Sequence, residues 1–130
     1  MISIDRAETI LNELAEELPP EIFTGLTGGI NLLPRAKRHP ESVGDTLYIL
    51  GEYIYDPKLG RRINIYFGSF ERMFPYAEED FVREKLRETL RHEFVHHVEG
   101  LAGENDLETE DRKRLADYRE RYGRNTETAE

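Results

Sequence analysis

The sequence predicts an α+β domain in which a small mixed or antiparallel sheet packs with an N-terminal, a central and a C-terminal helix. Three observations favour this fold. Apolar residues recur every three or four positions near the N-terminus, alternation with period two follows between residues 46 and 68, and residues 78–99 contain neither proline nor glycine. At 130 residues we expect a single domain over residues 1–122, followed by a frayed tail over 123–130.

The first predicted element is an amphipathic helix over residues 3–18. Its apolar positions, which fall on one helical face, are Ala7, Ile10, Leu11, Leu14 and Leu18. Pro19 and Pro20 end it, because proline disfavours the helical conformation in the residue before it. Residues 21–45 are rich in glycine and proline, and we expect a loop there with one short strand over residues 30–33.

Two strands are expected between residues 46 and 68. The alternating positions are Leu47, Ile49, Tyr53 and Tyr55 in the first strand and Ile63, Ile65 and Phe67 in the second. The segment between them has Pro57 early and Gly60 late, which suits a hairpin connection of five residues. A turn or short helical piece over residues 69–74 is ended by Pro75.

The central helix is predicted over residues 78–99. It opens with three acidic residues that complement the positive end of the helix dipole, and Gly100 and Gly103 are expected to mark its end. Residues 104–122 are strongly charged with few apolar positions. They predict a surface helix that covers one side of the core.

Composition excludes several classes of partner and site. The net charge of −9 disfavours binding to nucleic acid or to anionic lipid. The chain has no apolar run of the roughly 18 residues that a membrane span needs, and its acidic N-terminus does not resemble a signal peptide. We therefore expect a soluble, cytoplasmic protein. Because the chain has no cysteine, any metal must be held by nitrogen and oxygen ligands.

The chemistry is concentrated in the HExxH pattern formed by His92, Glu93 and His96 inside the central helix. Residues four apart lie one turn above each other, so both imidazoles can bind one Zn²⁺ ion. Glu93 lies about 100° around the helix from His92 and can take a proton from the zinc-bound water. The alternative is a chance cluster of histidines on a solvated face, since short motifs give false positives.

A catalytic zinc site needs a third protein ligand. The candidate carboxylates downstream are Glu99, Glu104, Asp106 and Glu108. Glu99 would align with both histidines along one helix, which closes poorly around a tetrahedral ion. A bend after Gly100 and a left-handed turn at Gly103 would bring Glu104 or Asp106 over the metal. Glu104 is preferred, then Asp106, with capping of the final helix as their competing role.

The remaining histidines and a pair of arginines have simpler interpretations. His97 points about 100° away from His96, which predicts a packing residue or a residue supporting the ligands. His39 lies in a basic loop and is expected to be exposed to solvent. Arg61 and Arg62 are interpreted as ordinary surface charge.

The chain resembles the small bacterial zincin-like metallopeptidases, or minimal zincins. The resemblance extends roughly from Leu11 to Tyr118. The segments that carry it are the strand over 63–66, the charged approach over 82–90, the HExxHH sequence over 92–97 and the acidic-leucine segment over 104–107. It implies an active-site helix packed beneath a small sheet. The chain departs from the family at Glu99, where a glycine is expected; alignment on Leu107 puts Glu104 at the third ligand position.

These observations predict a zinc-dependent metallopeptidase-type hydrolase. His92, His96 and Glu104 would hold Zn²⁺, and Glu93 would activate the zinc-bound water for attack on a peptide carbonyl. The expected partner is a peptide or protein substrate, extended along an edge strand over residues 61–67.

The hypothesis also includes candidates for stabilising the oxyanion and an alternative function. Tyr66 or Tyr76 is a candidate for stabilising the oxyanion, although such tyrosines are more often core or rim residues. The alternative function is a non-catalytic, metal-stabilised binding module, an inactive relative of the zincins. The sequence does not predict the oligomeric state.

Overall fold

The fold is known for residues 1–103, which a computed structural model describes. The elements in order are α1 (Ile4–Glu16), a 3₁₀ helix (Pro20–Phe23), β1 (Ile30–Leu33), β2 (Lys37–Arg38), β3 (Tyr48–Ile49), β4 (Gly51–Asp56), β5 (Gly60–Tyr66), α2 (Phe67–Met73) and α3 (Glu79–Ala102). The α+β class and the mixed sheet are as predicted. The helix expected over 104–122 and the tail over 123–130 lie outside the described residues.

Helix α1 forms where the apolar periodicity predicts it. The Ser3 side chain caps it by accepting a hydrogen bond from the backbone N–H of Arg6 at 3.1 Å. The helix ends at Glu16, shortly before the two prolines. Its buried face packs on α3 and consists of Ala7, Ile10, Leu11 and Leu14.

The main sheet has the order β1-β5-β4, so β5 is its central strand. Strand β1 pairs with β5 in parallel, and β4 pairs with β5 antiparallel. The turn between β4 and β5 consists of residues 57–59, shorter than the expected connection, and β5 begins at Gly60 with φ +85°. The expectation that residues 61–67 form an edge strand is therefore wrong. Phe67 does not belong to the strand at all, since it begins α2.

Three other boundaries differ from the prediction. Residues 46–56 contain two strands instead of one, because the strand conformation is interrupted at Leu50. Strand β2 lies in a segment expected to be loop and pairs antiparallel with β3. Helix α3 continues through Gly100 to Ala102, and Gly103 has a right-handed φ of −74°. Within residues 100–103, the expected bend after Gly100 and left-handed turn at Gly103 are thus both absent.

The core lies between α1, α3 and one face of the sheet. Its buried members are Ile10, Leu11, Leu14, Leu18, Ile22, Leu26, Ile63, Ile65, Phe70, Val82, Leu86, Leu90, Phe94, Val98 and Leu101. On α3 the buried stripe also includes two polar residues, Glu93 and His97. Burial of a polar group costs free energy unless the group has a hydrogen-bonding or ionic partner. The burial of Glu93 and His97 therefore indicates a functional or structural role. No helix in residues 1–103 has the length and hydropathy needed to cross a bilayer.

Ion pairs join α1 and the residue that follows it, Glu17, to α3. They join Arg6 to Glu79 at 2.8 Å, Arg83 to Glu13 at 2.9 Å and Arg87 to Glu17 at 3.1 Å. The hydrogen bond from Arg87 is the main cause that lowers the pKa of Glu17 below its ordinary value of 4.5. The hydrogen bond from Arg6 lowers the pKa of Glu79 in the same way.

We expect Glu17→Gln to reduce the acid sensitivity of the fold. A carboxyl whose pKa is lower in the folded state stabilises the protein above pH 4.5 and loses that contribution as the pH falls through its folded pKa. Because the Glu17 side chain is 43% exposed, the loss at pH 7 should be below about 1 kcal/mol. Urea unfolding at pH 7, 5 and 3 measures this, with the exposed neighbour Glu16→Gln as control. An equal pH slope in both variants would contradict the assignment.

Candidate metal centre and adjoining groove

The two histidines of the motif converge on α3. The Nε2 atoms of His92 and His96 lie 3.2 Å apart, and their rings are nearly perpendicular at 86°. Two nitrogens bound at 2.0–2.1 Å to one tetrahedral zinc ion would lie about 3.3–3.4 Å apart. His96 is exposed and His92 is half-buried, so an ion can reach both from solvent. The donor pair therefore fits a zinc ion.

The third ligand is not found among residues 1–103. In that part of the chain, no group of three or more His, Cys, Asp or Glu side chains is arranged to hold a metal. Glu99 approaches His96 at 3.8 Å, but at Nδ1, the nitrogen that does not face His92. Glu104, Asp106 and Glu108 lie outside the described residues, so the preference for Glu104 stays a prediction.

Glu93 lies beside the histidine pair but faces the sheet. Its side chain is only 1% exposed, and Gly51 of β4 lies against it. A Cβ added at Gly51 would be 3.4 Å from Glu93 Cγ and 2.6 Å from Cγ2 of Thr89. The absence of a side chain at Gly51 thus allows β4 to approach α3 closely beside Thr89 and Cγ of Glu93.

A groove of about 510 Å³ opens between β4 and the C-terminal half of α3. The residues that line it are Glu52, Tyr53, Glu93, His96, Glu99 and Gly100. Glu93 and His96 of the predicted site therefore face one common space. In contrast, residues 61–67, the expected substrate-binding strand, do not line this groove.

The strand beside the groove is β4. The backbone N–H of Tyr66 donates to the carbonyl of Leu50 at 2.8 Å, which sets the alternation of the antiparallel ladder. Residues Gly51 and Tyr53 fall at the intervening positions, so their backbone groups point away from β5. The backbone groups of Gly51 and Tyr53 thus lie on the edge of β4 that does not pair with β5, and Gly51 is the one beside Glu93.

A partly buried hydrogen-bond network links β4 to α3. The hydroxyl of Tyr53 lies 2.9 Å from His97 Nδ1 and accepts from Arg61 Nη1 at 2.7 Å. His97 Nε2 lies 2.7 Å from the carbonyl of Thr24, which can only accept. His97 is fully buried, which agrees with the packing role predicted for it. Arg61 is 6% exposed, so its interpretation as surface charge is wrong.

Neither tyrosine proposed for the oxyanion faces the groove. Tyr66 is 1% exposed and donates to Glu52 Oε1 at 2.7 Å on the opposite face of the sheet. Burial, and then the bond to Glu52, raise the pKa of Tyr66. Tyr76 is 94% exposed and precedes the start of α3, which lies about 20 Å along the helix axis from His92. The oxyanion role expected for these two residues is therefore not supported by their positions.

The negative charge of Glu52 is compensated by an ion pair with Lys37, which does not line the groove. Lys37 Nζ lies 2.7 and 2.8 Å from its two carboxylate oxygens. The same hydrogen bonds raise the pKa of Lys37. Although Glu52 lines the groove, its charge is thus compensated by Lys37, and Glu93 and Glu99 are the other carboxylates there.

The sequence contains signals for two residues of the site besides His92, Glu93 and His96 of the motif. His97 continues the apolar series Leu90, Phe94 and Leu101 at helical spacing, which is typical of a buried position. Gly51 opens a strand whose neighbours are large, which indicates a close backbone approach. Arg61 carried no such signal, because a charged residue at a strand start is usually exposed.

Comparisons with known proteins identify a family but no activity. No family model matches the chain, and no curated protein matches it. Among solved structures, the chain is similar to a conserved hypothetical protein (TTHA0227) from Thermo thermophilus, with 33% sequence identity and a TM-score of 0.66. The match covers 79% of this chain and 100% of that one. The chain belongs to the family of that protein. The TTHA0227 family thus supplies a relative matched over its full length, itself described only as hypothetical.

Proposed function

We propose that this protein is a zinc-dependent metallopeptidase-type hydrolase. The observation that carries the proposal is the 3.2 Å approach of His92 Nε2 and His96 Nε2 beside a groove that Glu93 also lines. His92 and His96 would hold the ion, with Glu104 as the third ligand expected from the minimal zincin resemblance. When bound, zinc supplies an acidified water molecule and polarises a carbonyl group.

Glu93 acts as the general base in this proposal. Its carboxylate takes the proton of the attacking water molecule and later delivers it to the leaving amine nitrogen. The side chain is 1% exposed, which shields the proton from exchange with bulk water. Gly51 packs near Cγ of Glu93, and Glu93 lines the groove.

The substrate is a peptide or protein segment that binds in extended form along β4. The outward backbone groups of Gly51 and Tyr53 supply the main-chain hydrogen bonds. This assignment replaces the strand over residues 61–67. With a net charge of −9, the chain is expected to bind neither nucleic acid nor membrane, and we expect it to act in the cytoplasm.

Zinc content and hydrolysis of fluorescein-labelled casein test the function together. We expect one zinc ion per chain, hydrolysis that stops on treatment with a chelator, and recovery when zinc is restored. His96→Ala should lower zinc affinity by more than about 100-fold, because it removes half of the histidine pair. His39→Ala is the matched control, since the His39 ring accepts a hydrogen bond from the backbone N–H of Glu41 within its own loop, away from α3.

Two outcomes would contradict the proposal in different ways. A protein that stays metal-free in excess zinc would exclude both the hydrolase and any other zinc site at the histidine pair. A protein that binds zinc but cleaves neither casein nor a mixed peptide library would favour the alternative, a non-catalytic metal-stabilised binding module. A large fall in melting temperature on chelation would accompany that second outcome.

A further inference from the structure

Along the groove, successive positions of β4 on one face contact successive turns of α3. Gly51 lies against Glu93, and two residues further Tyr53 contacts His97, which is four residues further along the helix. Two strand residues span about 6.6–6.8 Å and four helical residues span about 6.0 Å. The two contacts are therefore compatible with one register between strand and helix, and a shift of the strand would break both.

Each residue of the Tyr53–His97 pair makes a further hydrogen bond, His97 with Thr24 and Tyr53 with Arg61. The Thr24 carbonyl accepts from His97 Nε2, so in the neutral ring Nδ1 is the acceptor and the Tyr53 hydroxyl is the donor. Arg61 donates to the same hydroxyl, and its guanidinium stacks 4.3 Å from the Tyr55 ring. Each group in the chain from Arg61 to Thr24 thus has a defined direction of hydrogen bonding.

Two glycines permit the close approach on which this contact depends. A Cβ at Gly100 would lie 2.7 Å from Arg61 Nη1 and 3.5 Å from the Tyr53 hydroxyl. At the other end of the contact, a Cβ at Gly51 would lie 2.6 Å from Thr89 Cγ2. The strand and the helix therefore meet closely at both ends of the Tyr53–His97 pair.

We propose that Tyr53 and His97 are positioning residues that set the register of the β4 edge relative to Glu93. The proposal rests on the peptidase function proposed above. A peptide bonded to the main chain of β4 is carried with that strand, so the register decides whether its scissile carbonyl lies over Glu93. Small displacements of reacting groups are enough to slow catalysis strongly. Loss of the register lowers kcat, whereas KM changes little because the backbone bonds to β4 persist.

The substitution that tests this is Tyr53→Phe, which removes the hydroxyl and keeps the ring. With zinc-loaded protein and fluorescein-labelled casein, kcat should fall about tenfold and KM should change by less than about twofold. Zinc affinity, measured by competition with a chromophoric chelator, should not change, because His92 and His96 are untouched. His97→Gln, which retains both a donor and an acceptor, should keep kcat within about threefold of the unmodified protein.

Tyr48→Phe is the matched control. Tyr48 is buried, whereas Tyr53 is half-buried. The Tyr48 hydroxyl also accepts a hydrogen bond from an arginine, Arg72, at 3.2 Å, but Tyr48 lies on β3 away from the groove. We expect this variant to lose stability as Tyr53→Phe does and to keep its kcat. Equal kcat values for the two variants would overturn the positioning role.

A second measurement does not depend on hydrolysis. In NMR spectra, the cross-relaxation peak between Gly51 Hα and the Thr89 methyl group reports the distance from β4 to α3. It should weaken by at least half in Tyr53→Phe and stay unchanged in Tyr48→Phe. If the unmodified protein cleaves nothing, the proposed function fails, and this peak still decides the register: an unchanged peak in Tyr53→Phe overturns the proposal.

Discussion

Glu93→Gln is expected to abolish most of the hydrolysis while the protein stays folded and binds zinc. Glutamine has the size of glutamate, so packing against Gly51 is preserved, but its amide cannot accept a proton from the attacking water molecule. General-base catalysis contributes about 10²–10⁴-fold, and kcat/KM for labelled casein should fall by that factor. Zinc affinity by chelator competition and circular dichroism measure the two properties that should persist.

Glu88→Gln is the control for this experiment. Glu88 lies on the same helix, its side chain is 44% exposed, and it pairs with Lys85 at 3.6 Å outside the groove. It should retain full activity. If Glu93→Gln turned over casein as fast as the unmodified protein, Glu93 would not be the base. If it lost zinc, the carboxylate would be part of the metal site instead.

The parts of the fold that local pattern determines were predictable. Helix α1 has its apolar residues at helical spacing and a serine cap, and both features involve only neighbouring residues. The central position of β5 was not predictable in this way, because it depends on parallel pairing with β1, in which Ile30 lies opposite the distant Ile63. Strand β2 was missed for the same reason, since Lys37 and Arg38 become a strand only by pairing with β3.

Gly100 illustrates how the same residue has two physical explanations. Near the end of a predicted helix, glycine most often indicates the terminus. Here it lies inside α3, where Arg61 Nη1 would be 2.7 Å from an added Cβ. The reason for the glycine is a tertiary contact with β5, and no pattern within residues 78–103 contains that information.

The candidate site also has one part that the local sequence predicts and one part that depends on tertiary contacts. The convergence of His92 and His96 follows from a spacing of four residues on one helix, and the structure has their Nε2 atoms 3.2 Å apart. The network of Tyr53, Arg61 and His97 joins two strands and a helix, and it therefore depends on the fold. The prediction of Glu104 depends on an expected bend after Gly100 and on alignment at Leu107, and Glu104 lies outside the described residues.

Gly68→Ala is expected to be the most destabilising single-methyl change in residues 1–103. Gly68 is the second residue of α2, directly after β5, and it is buried. An added Cβ would lie 2.5 Å from Ala36 N, 2.6 Å from Arg35 C and 2.7 Å from Pro34 O. All three atoms belong to the backbone, so no side chain can rotate away. We expect a loss of about 3 kcal/mol, measured by urea unfolding at pH 7.

Gly103→Ala provides the comparison, because its Cβ would lie 3.6 Å from the nearest atom of residues 1–103 and its φ of −74° suits any residue. Its stability should change by less than about 1 kcal/mol. Equal unfolding midpoints for the two variants would mean that residues 34–36 shift to accommodate the added methyl group.

The segment of residues 34–36 leads into β2. The backbone N–H of Lys37 on β2 donates to Ser69 of α2 at 2.9 Å, and Lys37 Nζ pairs with Glu52 on β4. Displacement at Gly68 therefore reaches the strand that borders the groove, and casein hydrolysis by Gly68→Ala should fall even at temperatures where the protein stays folded.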